Sequence, residues 1–350
     1  MRALRWHGRR DIRLDEVPVP PALAAGDVLL RVRAAGICGT DVGEWLDGPV
    51  SVRVPEGAEA VTLGHEILAE VVDTGAHVST LAPGDRVVVE VNLTCGVCTA
   101  CLRGRTNICP HTVALGLQAD GGFAEFVVAP ASACIAVSGS AGDRDAVLAE
   151  PLAVAVHAVD LVDVPDDARA LVVGGGTIGQ LLLRALAARR VPAALLEPDP
   201  FRRAIAEDAG FTAFASVADL SASTDDGFDV VFEAAGRADA VGAAVAATAR
   251  GGMVVVLGVS AAPISIDTWR LVGRELGIRS SLSHTVDDVR TAVAMIESGT
   301  VVVSDLLTHT VPLSEAPRAF RLLASRTEQV LKCVIVPDPQ ATEQPTPEGA

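Results

Sequence analysis

Four cysteines stand within fifteen residues: Cys95, Cys98, Cys101 and Cys109, spaced C-x2-C-x2-C-x7-C. Thiolates at that density match a closed tetrahedral zinc site, and Gly96, Gly104 and Pro110 let the chain wrap an ion. With no open position such an ion is structural, and it folds a loop that has little core of its own. An iron–sulfur cluster or a redox dithiol draws on the same residue type. Cluster ligation usually has other spacings, so zinc is the reading taken. Cys134 and Cys333 lie in apolar runs and read as buried small hydrophobes.

A second motif is Gly174-Gly175-Gly176-Thr177-Ile178-Gly179, which contains G-x-G-x-x-G. It follows the strand-like Ala170–Val173 and opens a helix-like stretch Ile178–Arg190, the context a dinucleotide loop requires. Gly174 permits the tight turn, Gly176 lets the backbone approach a pyrophosphate, and Gly179 lets helix and strand pack closely. Glu197 closes the next strand, where an acidic residue accepts hydrogen bonds from the adenosine ribose hydroxyls. A carboxylate there repels the extra phosphate of NADP, so NAD is expected. Arg202 and Arg203 argue mildly the other way. Asp199 reads as a helix cap with Pro200 in the first turn.

Three further segments carry metal-ligand types: Cys38-Gly-Thr40-Asp41, Gly64-His65-Glu66, and Ala149-Glu150-Pro151. Their spacing alone leaves it open whether they meet. Each has a plain alternative: a buried thiol, a core histidine, a solvated carboxylate. His157, seven residues after Glu150 on the same apolar stretch, reads as core packing.

The elements that must hold these residues fall into two styles. Up to about residue 150, short strands alternate with turn signals, as in Val28–Ala34, Ile67–Asp73, Arg86–Val91 and Phe123–Val128, which suggests a small barrel or sandwich. After Glu150-Pro151 and a helix over Leu152–Val162, a βα alternation begins. Its strands are Ala170–Val173, Ala193–Leu196, Asp229–Glu233 and Met253–Val259. Its helices are Ile178–Arg190, Pro200–Ala209 and Ala238–Ala249. Alternation of this kind gives a parallel doubly wound sheet. A helix Val289–Glu297 precedes two more strand-like runs, Leu306–Val311 and Gln329–Val336, which return to the first domain.

Composition narrows the chemistry. The 350 residues are 50% hydrophobic and 21% charged, which makes the chain globular, and length alone suggests two domains. A net charge of −16 repels nucleic acid and anionic membranes. There is no tyrosine, and Lys332 is the only lysine, so proton transfer by a Tyr/Lys pair is excluded and a Walker-type phosphate lysine has no motif around it. No apolar run is long enough for a membrane span, and Met1–Arg10 lacks the apolar block of a secretion signal. A cytoplasmic, reducing setting is expected, in which seven cysteines are metal ligands or buried thiols.

Taken in order, C-G-T-D at Cys38–Asp41, G-H-E at Gly64–Glu66, the four-cysteine segment, E-P-L-A at Glu150–Ala153 and Gly174–Gly179 resemble the zinc-dependent medium-chain dehydrogenase/reductase family over residues 1 to about 336. The run from Glu150 through His157 is similar to the polyol, threonine and butanediol dehydrogenase branch. Glu44–Pro49 and its approach to His65 resemble the 2,3-butanediol dehydrogenases most. The resemblance implies an α/β chain in two domains. One is a GroES-like β-barrel catalytic domain over 1–152 and 289–336, with a structural zinc lobe at 92–112. The other is a Rossmann NAD-binding domain over 153–288, and a disordered tail follows at 337–350.

The resemblance further implies two zinc ions per chain. Cys38 and His65 would bind the catalytic one, with Glu66 and Glu150 as carboxylates that ligate directly or exchange with water. An open position remains for a water or a substrate oxygen. Asp41 would fix the tautomer of His65, and Thr40 would pass the substrate proton outward. Gly174, Gly176, Thr177, Ile178, Gly179, Glu197 and Arg202 would hold the cofactor. The expected reaction is hydride transfer between NAD and a small polar secondary alcohol or its ketone, in a homodimer or homotetramer joined through Met253–Val259 and Gly277–Leu282. A zinc-free quinone or enoyl reductase of the same fold, or a nucleotide-binding protein without activity, are the alternatives. One departure is Gly43, where relatives often carry a histidine that ends the proton relay; water, Glu44 or the ribose would have to replace it.

Overall fold

The computed structural model describes residues 1–20, 23–165, 167–223, 226–260, 262–325 and 327–339. The expected tail lies outside the described residues from 340 onward. Contacts group the chain into two units. The first holds Met1–Val97, Pro110–Val147 and the chain from Leu307, and the second holds Cys98–Cys109 and Leu148–Leu306.

The first unit is built on a seven-stranded sheet. Its path runs Cys134–Ala136, Arg86–Val89, Glu66–Thr74, Asp27–Ile37, Lys332–Val336, Leu307–Pro312, with Phe126–Pro130 also paired to Asp27–Ile37. The central strand Asp27–Ile37 shows why. Val28, Leu30 and Val32 alternate with half-buried neighbours, so one face enters the core, and from Ala34 the strand is buried throughout. A three-stranded sheet adds Arg2–Gly8 between Asp11–Glu16 and Val61–Thr62. The core is aliphatic, with a small aromatic centre in which Phe320 packs edge-on against Phe123 and Trp45 at ring separations of 6.0 and 6.1 Å.

Register within this sheet decides what can meet. Gly36 pairs with Glu66 on one side and with Val334 on the other, and Ile37 pairs with Cys333. The end of the central strand therefore brings Cys38, the His65-Glu66 dipeptide and Lys332 to one edge. A side chain at Gly36 would overlap the Glu66 carboxylate, so glycine is what leaves room for it.

The second unit carries a six-stranded, all-parallel sheet in the order Thr212–Phe214, Ala193–Leu196, Ala170–Val173, Phe228–Glu233, Thr248–Val256, Gly277–Ser280. This is the doubly wound order that leaves a crevice at the carboxyl ends of the central strands. Ala170–Val173 is buried along its whole length, as a strand covered on both faces must be. The helix Thr177–Ala188 buries Leu181, Leu182, Leu183 and Leu186, packed between the strands Ala170–Val173 and Ala193–Leu196 and the helix Ala149–Asp160.

The expected domain boundaries shift. The expectation places 289–336, with a helix Val289–Glu297, in the first domain; the helix spans Val286–Glu297 and packs on Ala149–Asp160, and the chain rejoins the first unit only at Leu307. Periodicity shows a helix face but not which apolar surface will cover it. The short strands Arg2–Gly8, Asp11–Glu16 and Thr212–Phe214 also escaped the sequence reading, because half-exposed strands show little apolar contrast. No helix among the described residues is long and apolar enough to cross a membrane.

Candidate active site

The four sulfurs of Cys95, Cys98, Cys101 and Cys109 all lie within 4.8 Å of one another. Cys98 Sγ and Cys109 Sγ are 3.8 Å apart, far beyond a disulfide bond. A tetrahedron of sulfurs about 2.3 Å from a zinc ion has edges close to that length. Turns at Gly96 and Gly104, with φ of 70° and 74°, let the loop close on itself. The donor set fits a structural zinc ion.

Cys38 caps the helix Gly39–Asp47. Asp41, in that helix's first turn, accepts the Cys38 backbone N–H at 2.9 Å through Oδ2. Its other oxygen lies 3.3 Å from His65 Nδ1. One fully buried carboxylate thus holds the thiol-bearing turn by a hydrogen bond and stands against the Nδ1 side of the imidazole, so that Nε2 of His65 is the nitrogen turned away from it. Burial alone would push the His65 pKa down. Asp41 and the adjacent Cys38 thiol outweigh burial and hold it well above the usual imidazole range. Cys38 and His65 place a thiol and an imidazole side by side, two donor types that a divalent cation takes, while among the described residues it is the four cysteines that form a convergent group of three or more ligand atoms. Thr40 Oγ1 lies 3.7 Å from Cys38 Sγ, on the same turn.

His65 is held by a glycine crossing. Gly64 has φ +96°, and a Cβ there would strike the Phe123 ring at 2.6 Å. Gly122 N–H donates to Gly64 O at 2.8 Å and Phe123 N–H to Leu63 O at 2.9 Å. The glycine of G-H-E therefore serves backbone packing.

Glu66 engages Lys332. Both are buried, and the Lys332 ammonium donates to Glu66 Oε1 and, at 3.0 Å, to Ile37 O. Sequence reasoning saw Lys332 only as a residue in short supply. Glu44, one of the candidates to replace the missing relay histidine, is committed elsewhere. It is buried and accepts the N–H groups of Val50 and Ser51, closing the loop after its helix. Burial pushes the Cys134 thiol up to about 12 and the Cys333 thiol to about 11; Cys333 is buried, as expected, whereas Cys134 is half-buried and donates to Pro130 O at 3.6 Å.

In the second unit, Glu150 lies in the first turn of the helix Ala149–Asp160. Its Oε1 is 3.0 Å from Nε2 of His284, which is 1% exposed and was missed by sequence reasoning. The core-packing expectation for His157 is corrected: its Nδ1 lies 2.9 Å from Asp288 Oδ2 and its Nε2 3.1 Å from Asn107 Nδ2. Partners so distant in sequence leave no local signal.

The glycine loop has the expected shape. Gly174 sits at φ +102°, where a Cβ would meet Ala235 at 2.8 Å, and a Cβ on Gly179 would run into Gly174 O. Nothing lies within 4 Å of a Cβ built on Gly176, which caps the helix Thr177–Ala188, so the space before that helix end is open for a phosphate group. Glu197 is buried and accepts Gly175 N–H at 2.6 Å and Asp199 N–H at 2.9 Å. Arg202 Nη1 stands 4.0 Å from Glu197. Arg203 is spent on the carbonyls of Glu197 and Pro198 at 2.9 and 2.7 Å. Asp199 caps the helix Pro200–Asp208 through Phe201 N–H. Glu233, overlooked in the sequence, ends the strand Phe228–Glu233 and accepts the N–H groups of Ala235 and Gly236 at 2.8 and 2.9 Å. Burial raises its carboxyl pKa.

Comparison with known proteins bears on the family and the fold. Residues 24–139 match the model of the alcohol dehydrogenase GroES-like domain, and residues 176–298 match that of the zinc-binding dehydrogenases. The chain is 34% identical to the D-altritol 5-dehydrogenase of Agrobacterium fabrum over 90% of its own length and 94% of that protein's. The 2R,3R-butanediol dehydrogenase of Bacillus subtilis superposes with a TM-score of 0.88 at 28% identity, covering 96% of this chain and 99% of that one. A zinc-binding dehydrogenase structure from Sinorhizobium meliloti, bound to NADP, gives 0.86 at 29% identity over 96% and 99%. With a GroES-like half, a Rossmann half and a relative of this identity along nearly its full length, the chain belongs to the zinc-dependent medium-chain dehydrogenase/reductase family, in its polyol-dehydrogenase-like branch.

Proposed function

We propose that the protein oxidises a small polar secondary alcohol, a vicinal diol, polyol or amino alcohol with a 2,3-butanediol-like substrate favoured, and passes the hydride to NAD. The observation that carries this reading is the Asp41 carboxylate set between the Cys38 turn and the buried His65 imidazole. Zinc, when bound, supplies a Lewis acid that makes a hydroxyl acidic.

The chain's own residues do the rest. Cys38, His65 and Glu150 are the proposed ligands. Asp41 fixes the imidazole so that Nε2 is the ligating atom. Thr40 offers its hydroxyl as a relay that takes the substrate proton as it gives its own to solvent water. Glu66, neutralised by Lys332, keeps a negative charge beside the ligands without leaving it unbalanced.

On the cofactor side, Gly174 to Gly179 and the helix N-terminus behind them receive the pyrophosphate. Each oxygen of Glu197 takes one backbone N–H and retains a lone pair for a ribose hydroxyl. The same charge opposes a 2′-phosphate, which supports NAD over NADP, with Arg202 as the residue that tempers the preference. The edge strand Gly277–Ser280, with Ile278 exposed on it and Leu282 exposed just beyond it, supports self-association into a dimer or tetramer. A cytoplasmic setting suits a chain whose metal-site thiols must stay reduced.

The test is nicotinamide reduction by purified protein with NAD and NADP against a panel of diols, polyols, amino alcohols and hydroxylated sugar derivatives. NAD-linked turnover of a secondary alcohol, abolished by Cys38→Ser, is expected. Undiminished turnover in Cys38→Ser refutes the reading.

A further inference from the structure

His284 and its neighbours form a braced segment. Asn107 lies in the short 3-10 turn Thr106–Ile108 of the four-cysteine loop, between Cys101 and Cys109. Its amide has two N–H donors. One points to Leu282 O at 2.9 Å, two residues before His284. The other points to His157 Nε2 at 3.1 Å. With that nitrogen accepting, the neutral imidazole carries its proton on Nδ1 and donates it to Asp288 Oδ2 at 2.9 Å.

The same Asp288 oxygen accepts Thr285 N–H and Thr285 Oγ1–H, both at 2.7 Å. Thr285 is the residue directly after His284 and the N-cap of the helix Val286–Glu297. One amide of the cysteine loop therefore holds the backbone on both sides of His284: directly before it, and through His157 and Asp288 after it. His284, buried between these two fixed points, donates Nε2–H to Glu150 Oε1 at 3.0 Å.

We infer that Asn107 is a positioning residue for Glu150: the four-cysteine loop, through the Asn107–His157–Asp288 brace, sets the His284 imidazole that holds the Glu150 carboxylate. This rests on the reading of Glu150 as a ligand of the catalytic zinc. A hydrogen bond to one oxygen restricts the carboxylate's rotation and orients the other, and loss of such a partner typically weakens metal binding or activity about 10–100-fold. The loop is then more than a staple for its own fold. Its closure around an ion sets the reach of Asn107, and the reach of Asn107 sets Glu150.

The experiment compares zinc-loaded wild type with Asn107→Leu, Asn107→Gln, His157→Leu and His284→Leu. Each is challenged with a chelator, and zinc release is followed in two phases, one assigned by Cys38→Ser and one by Cys95→Ser. In parallel, kcat and KM are measured. Release from the Cys38 site is expected to be at least about tenfold faster in the three leucine variants. The four-cysteine zinc is expected to be retained, kcat to fall, KM for NAD to stay unchanged, and Asn107→Gln, which keeps both donors, to recover part of the loss.

If His284→Leu shows the effect while Asn107→Leu keeps its cysteine-loop zinc and behaves as wild type, the brace is refuted. Should Asn107→Leu lose the loop zinc, His157→Leu, whose change lies outside the loop, reads the same link, and wild-type zinc release there also refutes it. Full turnover in Cys38→Ser instead overturns the catalytic-zinc reading beneath the inference.

Discussion

Lys332 and Glu66 form a buried ion pair at the end of the first unit's central strand, and Lys332 is the only lysine in the chain. Its ammonium also donates to Ile37 O, one residue before Cys38. The pair therefore fixes backbone and charge together beside the candidate ligands. Removing the cation leaves a carboxylate in a site that water does not reach, which costs about 3–5 kcal/mol. Lys332→Met should lower unfolding stability by that order in urea titration. The double variant Lys332→Met/Glu66→Leu should regain much of it, and equal instability of the two would show that packing and not charge is at stake.

Two metal sites should be separable by content. Wild type is expected to hold about two zinc ions per chain. Cys38→Ser should lose one and lower turnover at least about a hundredfold while retaining its fold. Cys95→Ser should lose the other and melt at a lower temperature, because a metal-closed loop draws its stability from the ion. Elemental analysis with a thermal melt on each variant checks both statements.

The glycine loop makes opposite forecasts for two substitutions three residues apart. At Gly179 a Cβ would enter Gly174 O, so Gly179→Ala should destabilise the fold by about 1–3 kcal/mol. At Gly176 the space is open, so Gly176→Ala should fold as wild type and instead weaken NADH binding at least about tenfold by filling the phosphate approach. Calorimetric binding and thermal unfolding of the pair separate the two effects, and a normal Kd for Gly176→Ala removes that glycine from the cofactor site.

Asp288 gives the brace a pH signature. Burial alone would raise its carboxyl pKa; the hydrogen bonds from His157 and Thr285 outweigh it and depress the pKa below the ordinary 3.8. A depressed acid contributes stability that is full above its unfolded pKa and is lost as pH falls through the folded value. Asp288→Asn should therefore be less stable than wild type at pH 6, and the gap should narrow as pH drops below about 4. A gap independent of pH across that range would mean that the carboxylate's charge plays no part.

The local pieces were legible in the chain itself. Strands such as Ala170–Val173 and Ala193–Leu196, the glycine loop, the Asp199 cap and the four-cysteine loop all announce themselves within a few residues, because period, turn chemistry and ligand spacing are short-range properties. The parallel sheet followed from strand and helix alternation. Tertiary structure alone decided the partners. Lys332 reaches Glu66 across 266 positions, His284 reaches Glu150 across 134, and Asp288 reaches His157 across 131. It also decided that Glu44 closes a loop and that Val286–Glu297 packs beside Ala149–Asp160. A buried charge must find a counter-charge or a donor, but a sequence states only that demand; which distant residue meets it is fixed by strand register and helix packing, and those exist only once the chain has folded.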